Sequence, residues 1–243
     1  MANDDMVVVA AVARKGGSGK SSLIKTLASA ALAAGKTALL IDTDAQGDLT
    51  RWYARAVKEG NAPKGAGLAS VTSTQQLEET INRAYEEGGT DFVFIDTAGV
   101  GGDWADDIAM LADHLVTPVV LSVTDFEVGT QTVEWFRRLH DRVEDPSDLP
   151  PHHVVITQVP GQTKATKREL ELVDEAVRSF PVINSVIQRR AAYREMDALG
   201  FLGEIIRSLQ QSPNPLQRSQ ARHYQEALME ATEVLNDILE ARA

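Results

Sequence analysis

A glycine-rich segment near the start of the chain has the residue types that bind phosphate. It reads Lys15-Gly16-Gly17-Ser18-Gly19-Lys20-Ser21-Ser22, after an apolar run and before a helical pattern. Glycines let backbone N–H groups turn toward phosphate oxygens, and the helix that follows adds the partial positive charge of its N-terminus. Lys20 could reach the β- and γ-phosphates, and the Ser21 hydroxyl could bind Mg²⁺. The segment predicts a loop that binds ATP and magnesium.

The loop departs from the general phosphate-loop pattern where it begins. That pattern, G-x-x-x-x-G-K-[ST], places glycine where this chain has Arg14, and an extra lysine, Lys15, precedes the glycine pair. A second cation so close to the loop is costly unless an anion meets it. That anion could be the nucleotide of this chain or of a neighbouring copy.

Three aspartates follow apolar runs at the predicted carboxyl ends of strands, where open α/β sheets bind ligands: Asp42, Asp44 and Asp96. Hydrolysis of a phosphoanhydride needs a metal held by oxygen ligands and a group that orients water. Asp42 and Asp96 are predicted to join Ser21 in the magnesium shell, and Asp44 to position the water. Alternatively, Asp42 and Asp44 only cap the following turn. A mobile switch that senses the γ-phosphate is predicted at Gly99, Gly101 and Gly102.

A regular alternation of strands and helices is predicted to position these residues. The apolar runs are continuous, as in strands buried on both faces of a parallel sheet. Strands are predicted at 6–12, 37–41, 92–95, 115–123, 153–157 and 182–187. Helices are predicted from about Leu23 to Leu32 and at 74–87, 130–143, 164–179, 190–199 and 219–241. The pattern predicts an α/β doubly wound, mainly parallel sheet with helices on both faces, as in P-loop NTPases.

Length and composition narrow the class of protein. A chain of 243 residues suits one domain, 1–243, and the first strand begins too early for an N-terminal helix-turn-helix domain. The absence of cysteine excludes a disulfide framework and a thiolate-bound iron–sulfur carrier. No apolar run reaches the ~18–20 residues of a membrane span, and the acidic start is unlike a secretion signal. We expect a cytoplasmic protein.

The charge of the chain is unevenly distributed. The net charge is −11, yet the segment from Lys164 to Arg222 has more basic than acidic residues. An acidic surface repels nucleic acid, whereas a local basic surface attracts it. From charge alone, chance variation among solvated faces remains the plainer explanation.

With these motifs in hand, the chain resembles the ParA/MinD group of deviant Walker A ATPases. Lys15 to Ser22 matches the group's K-G-G-x-G-K-[ST]-[ST] motif, and Asp42 to Gly47 matches its D-x-D-x-Q-G loop. The stretch from Ile187 to Tyr193 is similar to a late segment of small plasmid-partition proteins of the ParF kind. The resemblance extends from about residue 6 to about residue 205.

The resemblance implies a function that spacing alone does not establish. ATP would join two copies face to face, with Lys15 of each copy reaching the phosphates of the other. Asp44 matches the acid on which hydrolysis depends in the group. The ATP-bound homodimer would bind DNA without sequence preference and associate with the nucleoid. A ParB-like or other activating partner would stimulate slow hydrolysis, and this cycle would position a plasmid, chromosome or protein cargo.

Given this resemblance, the basic late segment becomes a candidate DNA footprint, held by salt-dependent phosphate contacts. The first candidates are Arg189, Arg190 and Arg194, and the second are Lys164, Lys167, Arg168, Arg218 and Arg222. Arg189 could instead line the nucleotide pocket, because it follows a predicted strand. The stretch from Thr157 to Pro160, with Thr157 and Gln158 at its start, is a candidate adenine contact.

Three rival functions remain. A MinD-like membrane-cycling ATPase would need a basic amphipathic C-terminus, whereas Glu226 to Ala243 is acidic and an anionic bilayer would repel it. A metabolic P-loop enzyme would need a substrate pocket beside the γ-phosphate, for which the sequence offers no residues. A catalytically silent, nucleotide-gated scaffold would not need both Lys20 and Asp44.

Overall fold

A single six-stranded parallel sheet organises the part of the chain that the computed structural model describes, residues 2–99, 103–161 and 165–240. The strand order is β3-β2-β4-β1-β5-β6. The strands are β1 Val7–Ala11, β2 Ala38–Asp42, β3 Ala66–Ser70, β4 Phe92–Asp96, β5 His114–Val120 and β6 His152–Thr157. The predicted doubly wound parallel sheet is confirmed.

Two strand predictions differ from the structure. The edge strand β3 was not predicted, because its residues are mostly small and form no apolar run. The predicted strand at 182–187 is wrong, since only single bridges join Val182 and Gln188 to the chain of β6 and its extension. Between them the backbone N–H of Ser185 donates to Asp237 at 2.7 Å instead of joining the sheet. The apolar residues of this run, such as Ile187, are buried without forming a strand.

Nine α-helices and one short 3-10 helix, Pro146–Asp148, occur in the described ranges. The α-helices are α1 Lys20–Ala33, α2 Asp48–Lys58, α3 Thr74–Glu87, α4 Asp103–Leu111, α5 Val123–His140, α6 Lys167–Ser179, α7 Ala191–Leu199, α8 Leu202–Gln211 and α9 Pro215–Glu240. The sequence predicted neither α2, α4 nor α8. Helix α5 begins earlier than predicted because Ser122 caps it, accepting from the Asp125 N–H at 3.1 Å. None of these helices is long and apolar enough to cross a membrane.

The helices cover both faces of the sheet, as predicted. Side chains of α1, α2, α7, α8 and α9 pack with alternate strand residues such as Phe94 and Val155 in one core. Side chains of α3, α4 and α5 pack with the opposite set, which includes Val93 and Ile95. The strands are therefore buried on both sides, and only their ends and connecting loops are open to ligands.

Candidate nucleotide-binding site

The sheet register brings the predicted phosphate and metal residues to one edge. Ala11 of β1 lies beside Asp96 of β4, and Asp96 lies beside Asp42 of β2. The glycine-rich loop leaves β1 directly after this register position and leads into α1. Three separate sequence motifs are therefore adjacent at the carboxyl edge of the sheet.

The glycine-rich loop has the backbone that its sequence requires. Gly17 and Gly19 have φ of 78° and 96°, in the left-handed region that favours glycine. Helix α1 begins at Lys20, so its first N–H groups face the loop. Lys20 is buried, and its Nζ donates to the backbone carbonyl of Lys15 at 3.2 Å. The loop thus curves around the lysine that was predicted to meet the phosphates.

Two opposing electrostatic effects act on the ammonium group of Lys20. Burial lowers the pKa of Lys20, and the carboxylates of Asp96 and Asp44 oppose that shift. A buried cation with acidic neighbours but without a direct ion pair is available to a polyanion that enters the loop.

Lys15, in contrast, lies at the surface. It is exposed, and its side chain makes neither a hydrogen bond nor an ion pair with the described residues. The structure therefore places Lys20 inside the loop of its own chain and leaves Lys15 at the surface beside it.

The loop after β4 packs tightly on the phosphate loop. A Cβ built on Gly99 would lie 2.7 Å from the backbone N of Gly16, so a side chain there would displace the loop. Gly99 therefore fits a switch that contacts the phosphate loop. The other two predicted switch glycines, Gly101 and Gly102, lie outside the described residues.

Asp96 has the properties of a magnesium ligand or of a group that holds a magnesium-bound water. Burial, reinforced by Asp42, raises the pKa of Asp96 to about 6, against the opposing effects of the Ser21 hydroxyl and Lys20. Its Oδ1 is buried without a hydrogen-bond partner among the described residues. An orphaned carboxylate oxygen is costly unless a cation or water meets it, so Asp96 and Ser21 fit Mg²⁺.

Asp42 is engaged by the protein itself. Its Oδ1 accepts from the Asp44 N–H at 3.1 Å, and its Oδ2 accepts from the N–H and the hydroxyl of Thr50 at 2.9 and 2.7 Å. These are the capping contacts that the sequence left open as the alternative role. They fix the Asp44 loop against the start of α2, and a place for Asp42 in the magnesium shell stays a prediction.

Asp44 lies in a tight turn next to the phosphate loop. Its Oδ1 accepts from the Gln46 N–H at 2.8 Å, and its carbonyl accepts from the Gly47 N–H at 2.8 Å. The carboxylate is close enough to Lys20 to influence the pKa of that lysine. The geometry gives Asp44 both a turn-forming role and a position near the phosphates.

A cavity of about 310 Å³ continues from the phosphate loop along α1 and could hold the nucleoside. Gly19 and Ser22 line its phosphate end, and both Thr157 and Gln158 line its wall, as predicted. Gln158 has a φ of 56°, which is unusual for a residue other than glycine. The cavity is also lined by residues that the sequence did not single out: Leu23, Thr26, Ile187, Gln188, Tyr193 and Asp197.

The three first DNA candidates line the same cavity. Arg189, Arg190 and Arg194 reach it because the Arg189 N–H donates to the Val159 carbonyl at 2.8 Å, which holds this segment beside the end of β6. The alternative prediction that Arg189 lines the nucleotide pocket therefore agrees with its position.

Shared carboxylates join some of the described DNA candidates in pairs: Glu226 pairs with both Arg190 and Arg222, and Glu171 with both Lys167 and Arg168. The described candidates are called the basic band here: Lys167, Arg168, Arg189, Arg190, Arg194, Arg218 and Arg222. Arg189 lies 4.0 Å from Glu169 in the first turn of α6. Arg190 lies 3.1 Å from both Glu226 and Glu230 of α9, and Glu226 also pairs with Arg222 at 3.2 Å. Lys164 lies outside the described residues.

The arginines of the basic band differ in solvent exposure and in the number of their ion pairs. Arg190 is largely enclosed by its two carboxylates, so its first role is to join α7 to α9. The Arg189 and Arg222 side chains are 58% and 82% exposed. Exposed pairs of this kind are weak, and an incoming phosphate can replace the carboxylate. Arg189 and Arg222 are therefore more accessible to an external phosphate than Arg190.

Comparison with known proteins gives matches over most of the chain. A family model described as VirC1 protein matches residues 6–242. Protein virC1 of Rhizobium radiobacter is 26% identical over 231 residues, which cover 93% of this chain and 96% of that protein. Maintenance of carboxysome distribution protein A of Gloeobacter kilaueensis is 31% identical over 202 residues, covering 81% and 86%.

Solved structures agree on the fold. A Cyanothece McdA–ATP complex has a TM-score of 0.68 at 14% identity and covers 98% of each chain. The pnob8 ParA structure has a TM-score of 0.65 at 17% identity and covers 97% of this chain and 99% of that one. The predicted ParA/MinD resemblance is confirmed.

Proposed function

The chain belongs to the VirC1 family of ParA/MinD-like proteins, and from this premise we propose that it is an ATPase that cycles between a monomer and an ATP-bound dimer. In this proposal the dimer binds DNA without sequence preference, and a ParB-like or other partner protein stimulates hydrolysis. The cycle segregates or positions DNA or another cargo. The supporting observation is the contrast between the two loop lysines: Lys20 is buried within its own loop, and Lys15 is exposed beside it.

The division of labour within the site follows from its contacts. Lys20 and the N–H groups of the loop neutralise the phosphates, and Ser21 with Asp96 would hold the magnesium ion. The ion would offset the charge that develops on the leaving phosphate. Asp44 would orient the attacking water, and its turn and its electrostatic effect on Lys20 support this role. Asp42 keeps that turn in place.

The exposed lysine supports the dimer. A cation at the rim of a phosphate loop is most strongly stabilised by the phosphates of a facing copy, because its own chain offers it no carboxylate among the described residues. The basic band beside the cavity favours DNA over the small second substrate of a metabolic P-loop enzyme.

The test of the dimer is molar mass by light scattering, with wild type, Lys15→Gln and the matched control Lys36→Gln. Lys36 is also exposed, but it lies 3.6 Å from Asp91 at the opposite end of β2. We expect a dimer with a slowly hydrolysed ATP analogue and a monomer with ADP. Lys15→Gln should weaken the ATP dimer at least about tenfold, because a charge pair to phosphate is lost. A dimer that is equally strong in Lys15→Gln, or a mass independent of nucleotide, would refute the shared site.

A separate prediction concerns the affinity of the basic band for DNA. Arg189→Gln with Arg222→Gln should weaken binding to duplex DNA about tenfold or more near 100 mM salt, and should reduce the salt slope by roughly two contacts. Fluorescence anisotropy over a salt series measures both quantities.

The matched control removes two other exposed arginines that pair with a glutamate on their own helix, Arg138 and Arg207. Because Arg189 also lines the nucleoside cavity, ATP affinity is measured in parallel for both double variants. Equal loss of DNA binding in the control pair, or full retention in the Arg189 and Arg222 pair, would exclude the band as the footprint.

A further inference from the structure

A second cavity lies at the opposite end of β6 from the nucleoside cavity. Thr157, the last residue of β6, lines the nucleoside cavity, whereas His152 and His153, the first two, line the second one. Its volume is about 750 Å³, within the range of small-molecule sites. The nucleotide mechanism uses none of its residues.

Aromatic and apolar side chains form the walls of this cavity. Phe136 of α5 and Phe180 at the end of α6 both line it, and the Phe136 ring packs against His152 with centroids 5.0 Å apart. Phe180 in turn packs against Phe126 at 4.7 Å. These rings are held by neighbouring rings, so they offer a preformed surface to a flat, apolar group.

Two of the histidines that line the cavity, His152 and His153, are neutral at physiological pH. Burial lowers the pKa of His152 to about 3 and that of His153 to about 4. Each ring is also bound internally: His152 Nε2 lies 2.8 Å from the Thr117 hydroxyl, and His153 Nε2 lies 3.2 Å from His114 Nδ1. His152 and His153 therefore add polar groups to the cavity wall but no charge.

Two arginines of the lining, Arg137 and Arg178, have no carboxylate partner among the described residues. Arg178 donates only to the carbonyl of Asp174, at 2.9 Å. Most other arginines of this half of the chain pair with an acid: Arg138, Arg142, Arg168, Arg189, Arg190, Arg207 and Arg222. Although the chain has a net charge of −11, two guanidinium groups without an ion-pair partner among the described residues line one cavity. Such a pair of cations favours the binding of an anion.

The one carboxylate of the described lining does not oppose an anion strongly. Asp237 accepts from both the N–H and the hydroxyl of Ser185, at 2.7 and 2.5 Å, so its charge is already offset by donors. Arg137 and Arg178 also sit in the last turns of α5 and α6, where they offset the helix dipoles. Arg138 and His140 are also in the last turn of α5, so that role does not explain why Arg137 and Arg178 line the same aromatic cavity.

We propose that this cavity binds a small aromatic anion, a carboxylate or a phosphate monoester, with its ring against Phe136 and Phe180 and its charge at Arg137 and Arg178. Such a ligand would bind at the end of the sheet away from the phosphate loop. It could therefore bind to the protein together with ATP, and it would contact α5 and α6, the helices that contain the two arginines.

Calorimetric titration with benzoate, phenyl phosphate and uncharged benzamide tests this proposal. ADP and Mg²⁺ are present in excess, and every titration is repeated in Lys20→Ala, so that binding at the phosphate loop cannot be mistaken for binding here. We expect at least one anion to bind with submillimolar affinity and benzamide to bind at least tenfold more weakly. Preference for benzoate or for phenyl phosphate identifies the anionic group.

Variants then locate the site. Arg137→Gln with Arg178→Gln should weaken anion binding at least tenfold, Arg137→Lys with Arg178→Lys should restore part of it, and the control Arg138→Gln with Arg142→Gln should leave it unchanged. Melting temperatures check that each variant folds. The proposal is overturned if neither anion binds, if benzamide binds equally well, or if the glutamine pair retains binding. A change confined to the melting temperature would leave the arginines as dipole-offsetting residues only and would also overturn it.

Discussion

Lys20→Ala is expected to reduce ATP affinity on the order of 100-fold, since a charge-assisted contact with phosphate is worth up to about 3 kcal/mol. Lys20 is the one lysine that the loop encloses, with its Nζ held 3.2 Å from the Lys15 carbonyl. No other described cation is placed to replace it within the same loop. Titration with a fluorescent ATP analogue measures the effect.

The control for this prediction is Lys36→Ala, which removes an exposed lysine at the other edge of the sheet. Its affinity for ATP should equal that of wild type. Because Lys20 also bonds to the loop backbone, the melting temperature of the apo protein is measured for both variants. Unchanged ATP affinity in a folded Lys20→Ala protein would show that the glycine-rich loop does not bind the phosphates.

Asp44→Ala is expected to lower the rate of ATP hydrolysis roughly 100-fold or more while ATP binding persists, because a group that orients or deprotonates water contributes a factor of this size. The ATP-bound dimer should then accumulate. Single-turnover phosphate release measures hydrolysis, and light scattering measures the dimer.

The structure allows the turn-forming role of Asp44 to be separated from its charge. In Asp44→Asn the side-chain oxygen can still accept from the Gln46 N–H, so the turn is retained and only the carboxylate is lost. We expect Asp44→Asn to be as inactive as Asp44→Ala. Asp48→Asn, at an exposed aspartate four residues later, should hydrolyse ATP normally. An active Asp44→Asn would mean that Asp44 only caps its turn.

The residues of the phosphate site could be predicted from sequence because local backbone conformation and the topology of a parallel sheet determine their positions. Gly17 and Gly19 are needed where the backbone takes positive φ, and the carboxyl ends of parallel strands must meet at one edge, which brings Asp42 and Asp96 together. The same rules gave the sheet and both helical layers.

What could not be predicted depends on contacts between distant parts of the chain. Thr50, which binds Asp42, lies in α2, which was not predicted from the sequence although Leu49, Trp52 and Ala56 form a buried face. The pairing of Arg190 with Glu230 spans 40 residues, so only the folded chain shows that this arginine joins two helices. The sequence predicted a helix at 190–199 but not where it packs. The lining of the nucleoside cavity by Tyr193 and Asp197 depends on that packing.

The strand predicted at 182–187 illustrates a limit of hydrophobic pattern. Ile183 and Ile187 of this run are buried, yet Ser185 donates its N–H to Asp237 of α9. A side-chain acceptor 52 residues away competes with the sheet for that donor. Nothing in the local sequence reveals such a competitor.

Binding to DNA as a function of nucleotide is the most direct test of the proposed cycle. The measurement is fluorescence anisotropy with two duplexes of unrelated sequence, in the presence of ATP analogue, ADP or no nucleotide. The account predicts tight, salt-dependent binding to both duplexes with the ATP analogue alone, with affinities within about threefold of each other. Binding that is absent with the ATP analogue, or equally strong with ADP, would contradict it.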